Sequence, residues 1–199
     1  PVLDVVPGTN AALPPDIQPD SWVVIPDPNA VDPNQKYKLF LRNPGGDMPG
    51  ISMTSSDGIH WINHTTTGSC GDRSTAFYNP FRKKWVYSLR SGWRARSRVY
   101  RECDDFLEGA KWDPEDTVLW AAADTLDAPN GETGDSAQLY NLDAVAYESI
   151  LLGLWEIHLG PKNEVCEKSG YPKITELNFA YSRDGFHWSR PDRTAHIPA

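Results

Sequence analysis

Short runs of alternating apolar and polar residues come in threes along this chain. SWVVI (21–25), YKLFLR (37–42) and GISMT (50–54) form one set, and STAFY (74–78), WVYSLRS (85–91) and RVYREC (98–103) a second. DAVAYES (143–149), ILLGLWEIHLG (150–160) and LNFAY (177–181) form a third. Runs this short, rich in β-branched and aromatic residues and bounded by Pro, Asp, Asn and Gly, predict strands rather than helices. Within DAVAYES the period of two places Asp143, Val145 and Tyr147 on one face and Ala144, Ala146 and Glu148 on the other. Stretches 113–142 and 161–173, rich in Asp, Pro, Gly and Asn, read as loops.

Two of the sets end in the same phrase. SSDGIHW stands at 55–61 and YSRDGFHW at 181–188, sharing Ser-x-Asp-Gly-x-His-Trp. Asp-Gly supplies a tight turn with a residue free to take positive φ. The Ser hydroxyl can bond the turn backbone, and the Trp can cover the hairpin. The middle set ends in a degenerate form, DDFLEGAKW (104–112), with Asp104 and Trp112 in the roles of Asp and Trp. Three units follow, roughly 20–61, 72–112 and 143–188, within one partial domain. Antiparallel units of this kind suit blades of a β-propeller, so the expected fold class is all-β. Propellers close with about four to eight blades. Three units therefore imply an internal piece of a longer protein, with the remaining blades of that parent chain as its partners. A sandwich or an open three-sheet assembly is the alternative.

The formal charge of −8 over 199 residues speaks against a protein that tracks nucleic-acid phosphates. The basic run RSGWRARSRVYR, Arg90 to Arg101, reads as a strand with one polar face, with a polyanion site as the alternative. No apolar run approaches the ~20 residues that span a membrane, so no membrane partner is expected. Cys70, Cys103 and Cys166 have no metal-ligand spacing and are expected as free thiols. No metal or other cofactor is implied, and neither a Gly-x-Ser-x-Gly elbow nor a P-loop is present. Asn63-His64-Thr65 fits a glycosylation acceptor, a pattern that also arises by chance. The compartment is left open, with a periplasmic or secreted setting compatible.

The Ser-x-Asp-Gly-x-His-Trp hairpins resemble those of the five-bladed propeller glycosidases, the invertase/levanase and arabinanase-type superfamily. GDRSTAFYNPFRKKWVYSLR and LYNLDAVAYESILLGLWEIHLGP also look like an uncharacterised bacterial group related to glycosyl hydrolases. The resemblance implies a carbohydrate substrate and three carboxylates on the first strands of successive blades. Asp27, in IPDPNA, is similar to an invertase motif through Asp-Pro-Asn, in the place of a nucleophile. Asp72, in GDRSTAFYNP, matches the position of the transition-state stabiliser. Glu148, in DAVAYES, falls where the family has its acid, though Ser149 follows it instead of Cys.

Glycoside hydrolysis needs one protonated and one ionised carboxyl, about 5–5.5 Å apart for retention or 6.5–9.5 Å for inversion. Glu148, among Ala146, Tyr147 and the apolar run from Ile150, would gain acid character from partial burial; otherwise it is a strand-edge partner of an Arg. Glu156 is its rival. Asp72 beside Arg73 is either a held carboxylate or a turn cap, and Asp27 either a nucleophile or a surface-turn Asp. Asp143 is a further candidate for the same site. Arg73, Arg90, Trp93, Trp155 and Tyr78 could stack on a sugar or bond its hydroxyls. His60 and His187 are expected to be structural. The contrasting expectation is a noncatalytic propeller module that binds carbohydrate or protein.

Overall fold

The computed structural model describes residues 4–43, 48–93 and 95–199; within the basic run, Arg94 lies outside these. The protein is all-β with antiparallel sheets and few helices. Each of the nine runs grouped in threes lies mostly in a strand: β1 (Ser21–Pro26), β2 (Tyr37–Arg42), β3 (Met48–Ser55), β5 (Thr75–Asn79), β6 (Lys84–Ser91), β7 (Ser97–Cys103), β9 (Gln138–Tyr147), β10 (Ile150–His158) and β11 (Thr175–Ser182). Two more complete the first two sheets, β4 (Trp61–Cys70) after the Asp57 turn and β8 (Val118–Ala122). Sheet orders are β1-β2-β3-β4, β5-β6-β7-β8 and β11-β10-β9, each following the chain from neighbour to neighbour.

Several expectations need correction. The region 113–142 is not all loop, since it holds β8 and the start of β9. The region 161–173 contains the helix α2 (Asn163–Ser169), closed by Gly170 at φ 70°, the left-handed residue that ends a helix. The basic run is not one strand, because a turn separates the end of β6 from β7. The middle hairpin is replaced by the short helix α1 (Phe106–Gly109), and Asp105, not Asp104, caps it by accepting from the Leu107 and Glu108 amides at 2.9 Å each.

The chain divides into two compact units. One comprises Pro1–Tyr78, Lys84–Leu89 and Arg101–Thr117. On one face of its first sheet, Leu39, Leu41, Ile51 and Met53 are buried under Leu13, Ile17 and Trp61. The opposite face, reached by the two-residue period, carries Phe40, edge-on to Tyr87 at 5.3 Å. The buried Tyr87 hydroxyl donates to the Phe106 carbonyl at 2.7 Å, which satisfies its polar end. Trp112 donates to the Ser69 carbonyl at 3.1 Å. Gly68 leaves the room for that ring, since a Cβ there would lie 2.3 Å from the indole.

The other unit comprises Asn79–Lys83, Arg90–Tyr100 and Val118–Ala199. Its core joins Ala121 of β8 to Leu139, Leu142, Trp155, Ile157 and Ala180 of the third sheet, with Trp120 and Trp188 against them. In the third sheet, Leu152 pairs with Val145 on one side and Tyr181 on the other. Leu154 pairs likewise with Asp143 and Phe179. Burial of this core, at about 25 cal/mol per Å² of apolar surface, is the main favourable contribution to folding.

Among the described residues no helix is long and apolar enough to cross a membrane, and Cys70, Cys103 and Cys166 are free thiols.

Candidate functional site

The two hairpins are built alike, atom for atom. Ser55 Oγ accepts from the Gly58 amide at 2.9 Å, and Asp57 Oδ1 accepts from the amides of Ile59 and His60 at 2.8 Å each. Asp57 Oδ2 meets His60 Nδ1 at 2.7 Å. At the second site Ser182 Oγ accepts from the Gly185 amide at 2.8 Å. Asp184 Oδ1 accepts from the Phe186 and His187 amides at 2.9 and 2.8 Å, and Asp184 Oδ2 meets His187 Nδ1 at 2.7 Å. Gly58 and Gly185 stand at φ 80° and 82°, which only glycine adopts at little cost. Both aspartates have both carboxylate oxygens engaged.

The electrostatics follow. His60 and the turn amides hold Asp57 well below the usual carboxylate range. Partial burial opposes this at Asp184, yet His187 and the turn amides hold it well below as well. His60 is raised by Asp57 and by Asp4, whose Oδ1 lies 2.6 Å from Nε2. These aspartates and histidines are parts of turns, and the reading of His60 and His187 as structural rests on these bonds.

Asp27, Asp72, Arg73 and Tyr78 belong to the first unit; Asp143, Glu148, Arg90, Trp93 and Trp155 belong to the second. Asp27 follows the last residue of β1 and forms a turn of its own, accepting from the Asn29 amide at 3.0 Å. Its carboxylate lies 3.3 Å from the Lys38 ammonium, and both side chains are nearly buried. Lys38 also donates to the Gln35 carbonyl at 2.9 Å and sits 5.7 Å from the Trp85 ring centre. Asp27 is therefore half of an enclosed ion pair, not a plain surface-turn residue. A buried Lys within an apolar-looking YKLFLR run was the available signal, hidden because it reads as the polar member of an alternating strand. Asp72 and Arg73 form the turn that enters β5, Asp72 partly buried and Arg73 exposed at φ 59°. Tyr78 is partly buried, its ring 4.9 Å from that of Trp85.

Glu148 is not in a strand. Tyr147 pairs with Ile150, so Glu148 and Ser149 are a two-residue hairpin turn, with Glu148 at φ 50° and exposed. Its expected burial is absent because the carboxylate stands at the tip of the turn. Asp143, Val145 and Tyr147 do share an exposed face of β9, as their spacing implies, and Asp143 accepts from Asn141 Nδ2 at 2.7 Å. Trp155 is 5% exposed, and the Arg190 guanidinium lies 4.3 Å from its ring centre; its face is not free for a sugar. Arg90 is partly buried and Trp93 exposed.

The sequence reading missed a groove of about 450 Å³ along β11, walled by Leu152, Phe179, Tyr181, Pro191, Asp192 and His196. Its signal was the alternation in LNFAYS, which puts Phe179 and Tyr181 on one face. No group of three or more His, Cys, Asp or Glu among the described residues could hold a metal ion.

No family model matches this chain, and no curated protein matches it. It is similar to the structure of an N-acetylgalactosamine deacetylase from F. plautii in complex with blood group B trisaccharide, with 15% identity, a TM-score of 0.55 and coverage of 81% of this chain. It is also similar to an endo-1,4-beta-xylanase from Bacteroides thetaiotaomicron, with 10% identity, a TM-score of 0.54 and the same 81% coverage. At such identities the likeness is one of fold. The chain spans 50% of the length of each of these proteins.

Proposed function

We propose that the chain is a three-blade portion of a five-bladed β-propeller protein that hydrolyses glycosidic bonds of an oligo- or polysaccharide. The observation that carries this reading is the fold it shares with two carbohydrate-active proteins, one solved with a bound trisaccharide. Three sheets in chain order, with matching Asp-Gly hairpins between β3 and β4 of the first and after β11 of the third, support the propeller. Glu148 is proposed as the acid, Asp72 as the stabiliser and Asp27 as the nucleophile, with Arg73, Arg90, Trp93, Tyr78 and Asp143 as sugar contacts. Asp27 and Glu148 each follow directly on the first strand of a sheet, whereas Asp72 precedes one. The Lys38 ammonium gives Asp27 a partner that would have to be shared with any bound substrate.

A second reading, a noncatalytic carbohydrate-binding module, is favoured by the exposed position of Glu148 in its turn. Hydrolysis of an aryl-glycoside and polysaccharide panel by the polypeptide as encoded by its gene, beside its Glu148→Gln variant, separates the two. Activity that collapses in the variant while glycan binding persists supports the hydrolase. Activity unchanged by the substitution removes Glu148 from the acid role, and binding without turnover in either protein selects the module.

A further inference from the structure

After the second Asp-Gly hairpin the chain returns along β11, bridging Ser189 to Tyr181 and Ile197 to Leu177. Between these bridges it has more residues than β11, so it bows away from the strand. The bow is the outer wall of the groove of about 450 Å³, where Pro191, Asp192, Thr194 and His196 stand opposite Phe179 and Tyr181. Ion pairs brace it: Arg190 reaches Asp127 at 2.6 Å, and Arg193 reaches Asp124 and Asp127 at 3.0 and 2.9 Å. The side chains of Arg190 and Asp127 are almost fully buried, so the wall is set before anything binds. The facing wall is open, with Phe179 47% and Tyr181 42% exposed, and the His196 ring lies 4.3 Å from that of Phe179.

We infer that this groove binds neutral sugar rings, an inference that rests on the carbohydrate reading above but not on its catalytic residues. Each wall fits one side of a pyranose. The C–H face packs on exposed aromatic rings, which offer large and rigid apolar area, while the hydroxyls meet the Asp192 carboxylate and the Thr194 hydroxyl. A cavity of this size with a few convergent polar groups is the ordinary form of a small-ligand site, and a wall fixed in advance lowers the cost of binding. Charge selects the class. Asp192 is the one acid among the described residues that line the groove, and no Lys or Arg is among them. It accepts from the Thr194 amide at 2.8 Å, a bond that with the Thr194 side chain holds its carboxyl below the usual range. A uronic acid or a sulfated sugar would meet that charge and be rejected, and a lipid tail would enclose it without a partner. Asp143 continues the site, because the strand register sets Asp143, Leu154 and Phe179 in one row, ~10 Å from end to end. An oligosaccharide lying across the sheet therefore reaches from the groove to Asp143.

The test is maleimide labelling of Thr194→Cys in the polypeptide as encoded by its gene, with Val31→Cys, at a position 100% exposed, as the reference. Peptides bearing each position are read by mass spectrometry, with and without neutral hexasaccharides of glucose, xylose, mannose and galactose, and with trigalacturonate. Position 194 is expected to label at a rate close to that of position 31 in the absence of sugar. At least one neutral sugar should slow it on the order of tenfold at saturation, and trigalacturonate should leave it unchanged. Slow labelling without sugar overturns the inference, because the polypeptide itself, or a second copy where dilution restores the rate, then covers the groove. Protection by trigalacturonate overturns it too, as does no protection by any neutral sugar. Phe179→Ala, and Asp192→Asn, which keeps the shape, should each weaken binding of the protecting sugar about tenfold in calorimetry; unchanged affinity in both overturns the groove. Hydrolysis is scored separately. Turnover with position 194 unprotected would remove the groove and leave the hydrolase, and protection without turnover would keep the groove on a noncatalytic module.

Discussion

The twin hairpins offer an internally controlled experiment, because the same substitution meets different surroundings in each. Gly58 and Gly185 share a left-handed backbone, at φ 80° and 82°, so alanine at either costs ~1–2 kcal/mol of conformational strain. At Gly58 the new methyl meets only the Tyr37 ring at 3.8 Å, ordinary contact. At Gly185 it would lie 2.5 Å from Asn79 Nδ2 and 2.9 Å from Leu151 Cδ1. Asn79 Nδ2 is committed, donating to the Asp184 carbonyl at 2.7 Å, and Asn79 is fully buried. Displacing it forfeits that bond and strands a buried donor, a further ~1–3 kcal/mol. Gly58→Ala is therefore expected to cost ~1–2 kcal/mol and Gly185→Ala ~2–5 kcal/mol, the larger loss in any one measurement. Urea unfolding followed by tryptophan fluorescence measures both losses, and amide exchange assigns each to its own hairpin. Equal losses would refute the claim that Asn79 braces the second turn.

Three further outcomes are expected. His158 is 2% exposed, and burial, then the positive charges of Arg96 and Lys173, lowers its pKa from 6.5 to about 4. Its folded value lies below its unfolded one, so the unfolded chain takes up the proton first. Stability is thus full above about pH 6.5 and falls by up to ~3 kcal/mol as pH drops through that window toward 4; the curve should flatten in His158→Gln, and an equally steep curve there would exclude this residue as the cause. Burial pushes the Cys103 thiol up to about 12; native protein and Cys103→Ser should give the same thiol count with a disulfide reagent at pH 8, and a lower count in the variant would contradict this. Glu148→Gly relieves a left-handed non-glycine residue and should raise stability by ~0.5–1 kcal/mol; a loss of stability would show that the carboxylate holds a partner.

The strands were legible because their cores alternate strongly, as YKLFLR and WVYSLRS do. β4 was not, since WINHTTTGSC is polar along most of its length and largely solvent-facing; only the β-propensity of its threonines and Ile62 marked it. The hairpins were readable to the level of the Ser and Asp bonds, because Asp-Gly has few other uses between strands. In the middle copy two adjacent aspartates compete, and nothing in Asp104-Asp105 says which will cap once a helix replaces the turn. The turn at Glu148 was invisible for the opposite reason. It contains neither Gly nor Asn, so DAVAYES runs into ILLGL as one alternation, and the period assigned Glu148 to a strand face it never reaches. Trp155 illustrates a third limit, since an aromatic in a strand carries no mark of whether a cation already covers its ring.

Glycan binding to the polypeptide as encoded by its gene, titrated by calorimetry against soluble xylan, N-acetylgalactosamine-containing oligosaccharides and neutral glucan, tests the carbohydrate assignment at its root. Saturable binding to at least one of them, weakened when Trp93→Ala and Arg90→Ala are combined, is the expected result. Heats indistinguishable from dilution across all three classes would contradict a carbohydrate role, whether catalytic or not.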